Sequence, residues 1–470
     1  MEIPFVGGAY TGRSSNLNAQ VCQNLFPVVD NQQGKKVMAL YGTPGLTRIC
    51  TPANGEVRGV LNVSDYFYAV IGSATYKVTM AGASTLMTGA LLTASGPVWM
   101  EHNGTQVMIC DGTYGYILSG TTVTQIADED FPEASSLTYQ DGYFIISRKA
   151  SGQFMISGSY DGTAWDALDF ATAEGDPDNL LSVVSCRREL WLLGAKSYEV
   201  WYNSGNADFP FERIQGTNNQ IGIVAPASAA QGFGVLAWLS NVRCVMASEG
   251  GYQAKRISTD QIDYQIGKYN VVSDARGFIY GQEGHAFYQL IFPSEGKTWD
   301  YDFMTKHWHT RASGIFDGRS RANCCAMVGN IPVVGDYTNG KIYRYDLDAY
   351  TDDGETIRAV RRAQVIHNDR KNIFHGQLEI EFEAGVGLAV DDPTLGSGTD
   401  PQAMLRWSDD GGHNWSNEHW RKIGKIGEYK NRAVWRGLGS SRERIYEVVI
   451  SDPVKRVILG AHLDAEPGVS

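Results

Sequence analysis

A loose repeat of about 45 residues constrains this chain more than any other feature. Each unit holds two or three short apolar and aromatic runs parted by Gly, Asn or Asp turns. The first runs from Arg58 through Tyr66-Phe67-Tyr68-Ala69-Val70-Ile71 to Tyr76-Lys77-Val78. The fourth carries Leu190-Trp191-Leu192-Leu193 and Tyr198-Glu199-Val200-Trp201-Tyr202, and the seventh closes on Lys341-Ile342-Tyr343-Arg344-Tyr345-Asp346. The 53 Gly and 24 Tyr suit strands joined by tight turns. Short strands at even spacing, about four per unit, predict the blades of a β-propeller, because one blade cannot bury both of its faces alone. Seven units can be counted. One of them split between the chain ends, or lying outside the ring, would make six blades as compatible as seven.

After residue 350 the texture changes. A basic stretch (Arg358, Arg361, Arg362, Arg370, Lys371) precedes the strict alternation of Leu378-Glu379-Ile380-Glu381-Phe382, the mark of a half-buried strand. Further strand runs start at Ala403, Arg432, Ile445 and Val457. The expected architecture is all-β: residues 1–55 closing or bracing the propeller, 56–350 the propeller, 351–470 a small C-terminal β-sandwich. A frayed tail is expected over 465–470.

The net charge of −12 argues against coating nucleic acid, which needs a basic surface to displace counterions. DNA sliding past an acidic wall remains compatible with it. Seven Cys with no C-x-x-C spacing favour a reduced place of synthesis over a disulfide framework or zinc ribbon. No apolar run approaches the ~18 residues of a membrane helix, and the first residues lack the form of a signal peptide, so a soluble protein is expected. Against this acidic background, Lys422, Lys425, Arg432 and Arg436 form a basic tract. It reads either as a solvated sheet surface or as an assembly or DNA-facing surface.

Chemistry is sparse. Gly335 to Lys341 fits G-x-x-x-x-G-K, but Ile342 stands where a Ser or Thr should hold the metal, and Asn339-Gly340 is a hairpin turn. His307 and His309 share a strand face but lack a third ligand nearby in sequence. Ser408-x-Asp410-x-Gly412-x-x-Trp415 resembles the Asp-box of sialidase-like propellers, with a shorter version from Ser159 to Trp165. It is a structural turn in which Asp accepts backbone N–H bonds, Gly supplies positive φ and Trp caps the core. The Arg-Ile-Pro signature of sialidases is absent, since Gln215 follows Arg213-Ile214. No catalytic residue, metal or cofactor is expected. A carbohydrate-active propeller is the alternative, and a cellular propeller scaffold a third class that lacks its recurring Gly-His and Trp-Asp pairs.

Two blocks carry a family resemblance. The first comprises Gly8-Ala9-Tyr10-Thr11-Gly12-Arg13, Gln23-Asn24-Leu25-Phe26-Pro27 and Thr43-Pro44-Gly45-Leu46; the second runs from Leu405-Arg406-Trp407-Ser408 through Trp435-Arg436-Gly437 to Val457-Ile458-Leu459-Gly460-Ala461. Together they resemble the packaged-DNA stabilization proteins, the tail accessory or nozzle proteins of short-tailed bacteriophages. The resemblance implies a virion protein, made and assembled in the host cytoplasm. It also implies a homo-oligomeric ring, usually a hexamer, under the portal and adaptor. Such a ring extends the channel for double-stranded DNA without reading its sequence, helps retain the genome, and docks tail spikes, fibres and a needle or plug.

Overall fold

The computed structural model describes residues 2–30, 34–173, 175–315 and 317–468. Its architecture is a β-propeller followed by a β-sandwich. Among the described residues, seven four-stranded antiparallel blades stand in a ring. The first consists of Val57–Val63, Tyr66–Ile71, Ala74–Thr79 and Ser84–Leu86. The inner strands of the others are Trp99–His102, Ala134–Gln140, Leu180–Cys186, Ala230–Gly232, Arg276–Gln282 and Ala322–Val328. Each inner strand touches the next, and the last returns to Val57–Val63.

Period-two geometry explains why the second strand of a blade reads as an unbroken apolar run. Successive side chains point to opposite faces, and both faces are covered. In the first blade Tyr68 and Val70 pack against Val107, Ile109 and Leu118 of the second. Phe67, Ala69 and Ile71 pack the other way, against Val328, Val333 and Ile342 of the seventh. Each such side chain contributes roughly 1.5–3 kcal/mol by leaving water, so the ring is held by its inter-blade seams.

The seventh blade is completed by the N-terminal region. Gly45–Cys50 pairs antiparallel with Ile342–Asp346 as the fourth strand. Asn24 adopts a left-handed backbone (φ 53°), and its amide bridges Ala312 (N–H to Oδ1 3.0 Å, Nδ2 to O 2.9 Å) and the Arg358 carbonyl (2.9 Å). Gly45 is required by close approach, because a Cβ there would stand 2.4 Å from the Ala349 carbonyl oxygen. The Asn-Leu-Phe-Pro and Pro-Gly-Leu steps of the sequence are therefore a staple and a close crossing of chains.

The sandwich is not built from C-terminal residues alone. One sheet runs Leu25–Val29, Met38–Gly42, Val457–Pro467, Ile373–Phe382, Ala433–Arg436. The other continues the sixth blade: Ala19–Gln23 meets Thr310 in a parallel contact, then come Ala359–Arg362, Glu443–Ile450, Gln402–Ser408 and His419–Lys422. The expected frayed tail is ordered as far as the strand reaches, since Ala465 to Pro467 pair with His375 to Ile373; Val469 and Ser470 lie outside the described residues.

One helix, Asp260–Gly267, was not anticipated from the repeat. Thr259 caps it and Asp260 and Asp263 occupy its first turn, which is a readable start signal. No helix among the described residues is long and apolar enough to cross a membrane.

Candidate assembly surface

The basic tract lies where the open edges of the two sandwich sheets meet. Lys422 ends the edge strand His419–Lys422 of one sheet, and Arg436 ends the edge strand Ala433–Arg436 of the other. Lys425 and Arg432 sit on the connection between them. The four cations therefore do not share one sheet face. The two edges are cross-tied, with Trp435 Nε1 donating to the His419 carbonyl (2.8 Å) and Arg421 Nε to the Val434 carbonyl (2.9 Å).

Each predicted cation has a local acceptor. Lys422 Nζ lies 2.6 Å and Lys425 Nζ 3.8 Å from Asp400, Arg432 Nε donates to Glu379 (2.7 Å), and Arg436 Nε donates to Gln377 (3.1 Å). The hydrogen bond from Arg432 pulls the Glu379 carboxyl below its ordinary range. These pairs are solvated, so exchanging partners costs little. Charged side chains on edge strands also discourage unspecific strand addition.

Three residues that the charge reading missed complete the surface. Trp420, Ile426 and Tyr429 are 46 %, 60 % and 72 % exposed within the same short segment. Large apolar side chains ringed by charges form the composition of protein–protein contacts, where Trp, Tyr and Arg carry most of the energy. Their signal in the sequence is three bulky apolar residues scattered without period through a polar, Gly-containing connection.

The other motifs resolve into local structure. Lys341 N donates to Asn339 Oδ1 (3.0 Å) and Gly340 has φ 70°, which makes the phosphate-loop look-alike a hairpin turn. In the shorter Asp-box, Trp165 is buried and caps a seam, its Nε1 donating to the Gly162 carbonyl (2.9 Å). In the longer one Asp410 accepts the Asn414 N–H (2.9 Å) as expected, but Trp415 does not cap the core; it lies under the guanidiniums of Arg362 and Arg406, each 4.7 Å from its ring. His309 points between the sixth and seventh blades, fully buried, while His307 is half-buried and contacts the Thr305 carbonyl (2.6 Å). Among the described residues no three His, Cys, Asp or Glu side chains are grouped to hold a metal.

Comparison with known proteins matches residues 1–350 to the family model described as "Bacteriophage P22 Gp10, beta-propeller" and residues 358–466 to that described as "Bacteriophage P22 Gp10, beta-sandwich". No curated protein matches the chain. Similar solved structures include the Pan2 WD40 domain of Neurospora crassa (7 % identity, 64 % of this chain, 95 % of that one, TM-score 0.42). Virginiamycin B lyase from Staphylococcus aureus is comparable (9 % identity, 62 % and 94 % covered, TM-score 0.43), as is the N-terminal domain of Nup159 (10 %, 69 % and 98 %, TM-score 0.42). These likenesses are too distant to bear on function.

Proposed function

The chain belongs to the bacteriophage P22 Gp10 family, a structural component of the phage tail, and from that premise we propose that it forms a ring below the portal and adaptor of a short-tailed virion. The ring, of six copies by family resemblance, extends the DNA channel, helps retain the packaged genome and docks spikes, fibres or a needle. It works as a non-enzymatic part, made in the host cytoplasm. The duplex runs along the axis of the ring of subunits. A net charge of −12 suits a wall that DNA must slide past.

The observation that carries the subunit contact is the cluster of Trp420, Ile426 and Tyr429 among Lys422, Lys425, Arg432 and Arg436. In this reading the apolar side chains supply the affinity, and the cations, by exchanging Asp400 and Glu379 for acceptors on the neighbour, supply the register.

Electron microscopy of the purified protein, alone and with portal–adaptor complex, tests the proposal. Closed rings, or rings stacked on the adaptor, are expected. The W420A/I426A/Y429A variant should stay folded by circular dichroism yet weaken subunit association at least a hundredfold. K422E/K425E/R432E/R436E should assemble poorly and lower virion yield or DNA content. Wild-type protein that stays monomeric and fails to dock would overturn the ring. Rings formed equally well by both variants would remove this surface from the contact.

A further inference from the structure

Where the outer edge of the sixth blade meets the sandwich there is a cleft of about 330 Å³. Lys297, Arg311, Arg358, Arg362 and Arg406 line it, opposed by Asp317 and Glu447. Counting formal charges on these seven side chains, five positive and two negative leave an excess of three positive, in a chain whose net charge is −12. We propose that this cleft binds the carboxylates of an acidic polypeptide segment from a neighbouring protein.

The geometry is that of a built oxyanion site. Glu447 is 1 % exposed and sits between two guanidiniums: Arg362 reaches Oε2 through Nε (2.9 Å) and Nη2 (2.7 Å), and Arg406 reaches Oε1 through Nε (2.6 Å). Both guanidiniums lie over the Trp415 ring, 4.7 Å from its centroid, in cation–π contact. One buried carboxylate thus holds two cations in place and neutralises only one of them. Each planar guanidinium keeps N–H donors beyond those spent on Glu447, and such forks match carboxylates in bidentate fashion. Arg358 leans on Asp317 (3.2 Å), an exposed pair, and Lys297 Nζ donates to the uncharged Asp317 carbonyl (3.0 Å). Their partners are weak enough to be exchanged for a stronger acceptor.

The size of the cleft decides between acidic protein and nucleic acid. It admits a few side chains of an extended segment, not a rigid duplex. The chain's net charge of −12 also opposes a polyanion at long range, while the concave basic floor focuses attraction on a short acidic sequence. Only the identification of the neighbour as a virion protein rests on the tail reading.

Isothermal titration of the full chain tests this with four probes: an extended 12-residue peptide rich in Asp and Glu, its Asn/Gln counterpart, inorganic phosphate and a 20-base-pair duplex. The acidic peptide is expected to bind, more weakly as salt rises, and its amide counterpart not to bind. The K297E/R358E variant, which leaves Glu447 with both its guanidiniums, should lose at least tenfold in affinity while keeping the wild-type melting profile. Failure of the acidic peptide to bind, equal binding by that variant, or tighter binding of phosphate or duplex would each overturn the proposal. Ring formation scored in parallel separates it from the tail reading, since rings that ignore the peptide would refute the cleft alone.

Discussion

Replacing Arg361 with methionine is expected to lower the stability of the fold by about 3–5 kcal/mol, the scale for several buried acceptors left unpaired at roughly 1–3 kcal/mol each. Arg361 is fully buried and, among the described residues, has no carboxylate partner. Its Nε donates to the Phe5 carbonyl (2.6 Å), Nη1 to Gly8 (2.9 Å) and Val21 (3.3 Å), and Nη2 to Gln20 Oε1 (2.8 Å). Burial pushes its pKa down, yet the guanidinium keeps its proton at any working pH. Removing the cation relieves one desolvation cost. Against that stand the carbonyls of Phe5 and Gly8, in a segment (residues 4–9) that belongs to no strand and has no ladder to fall back on. The unsatisfied acceptors win. Lysine should not rescue the variant, because one ammonium cannot span the directions a guanidinium serves. Urea unfolding and hydrogen exchange over residues 5–23 check this; a loss below 1 kcal/mol with unchanged exchange would show that the N-terminal segment is held by packing instead.

Arg361 also shows where reading by sequence stops. In the chain it belongs to a basic stretch with Arg358 and Arg362, with nothing to mark it as buried. Strand alternation places it inward and Arg362 outward, and only the fold brings Phe5 and Gly8 to it. The blades were legible because coverage on both faces writes continuous apolar runs such as Tyr66 to Ile71 and Leu190 to Leu193 into the chain. The split seventh blade was legible only as an ambiguity of count, because its fourth strand, Gly45–Cys50, lies some 290 residues from its partner. The N-terminal contribution to both sandwich sheets was invisible for the same reason: pairing between distant strands has no local signature. In the assembly surface, charge was readable and exposure was not. Lys422 and Arg432 stand out against an acidic chain, whereas an exposed Trp420 or Tyr429 looks like a core residue until the sheets are placed.

A row of buried polar groups in the sixth blade yields the second large effect, a masked pH dependence. Register sets Gln289 beside Asp300 and Asp300 beside His309 across three neighbouring strands, all three fully buried between the sixth and seventh blades. His309 Nε2 lies 3.6 Å from Asp300 Oδ2; around them stand Tyr280, whose hydroxyl donates to Asp300 (3.2 Å), Arg311, Tyr345 and the Asp302–His285 pair. Burial pushes Asp300 up to about 7 from 3.8, opposed by Arg311 and the Tyr280 hydroxyl. Burial likewise pushes His309 down to about 3 from 6.5. Between pH 4 and 6.5 the unfolded pair holds one proton, on the imidazole, and the folded pair also holds one, on the carboxyl. Equal proton counts mean no slope of stability with pH from this pair in the wild type. Single substitutions should expose two slopes of opposite sign. In H309F, Asp300 binds its proton more tightly folded than unfolded, so stability should fall relative to wild type as pH rises from about 4 to about 7. In D300N, a neutral folded His309 faces a protonatable unfolded one, so stability should fall as pH drops from about 6.5 towards 3. Each slope approaches about 1.4 kcal/mol per pH unit and accumulates to roughly 4 kcal/mol across its window. Urea unfolding of the three proteins at half-unit steps from pH 4 to 7 measures both. Variant curves parallel to wild type would mean that the remaining group binds protons in the fold as it does unfolded, so that burial holds neither Asp300 as a neutral acid nor His309 as a neutral base.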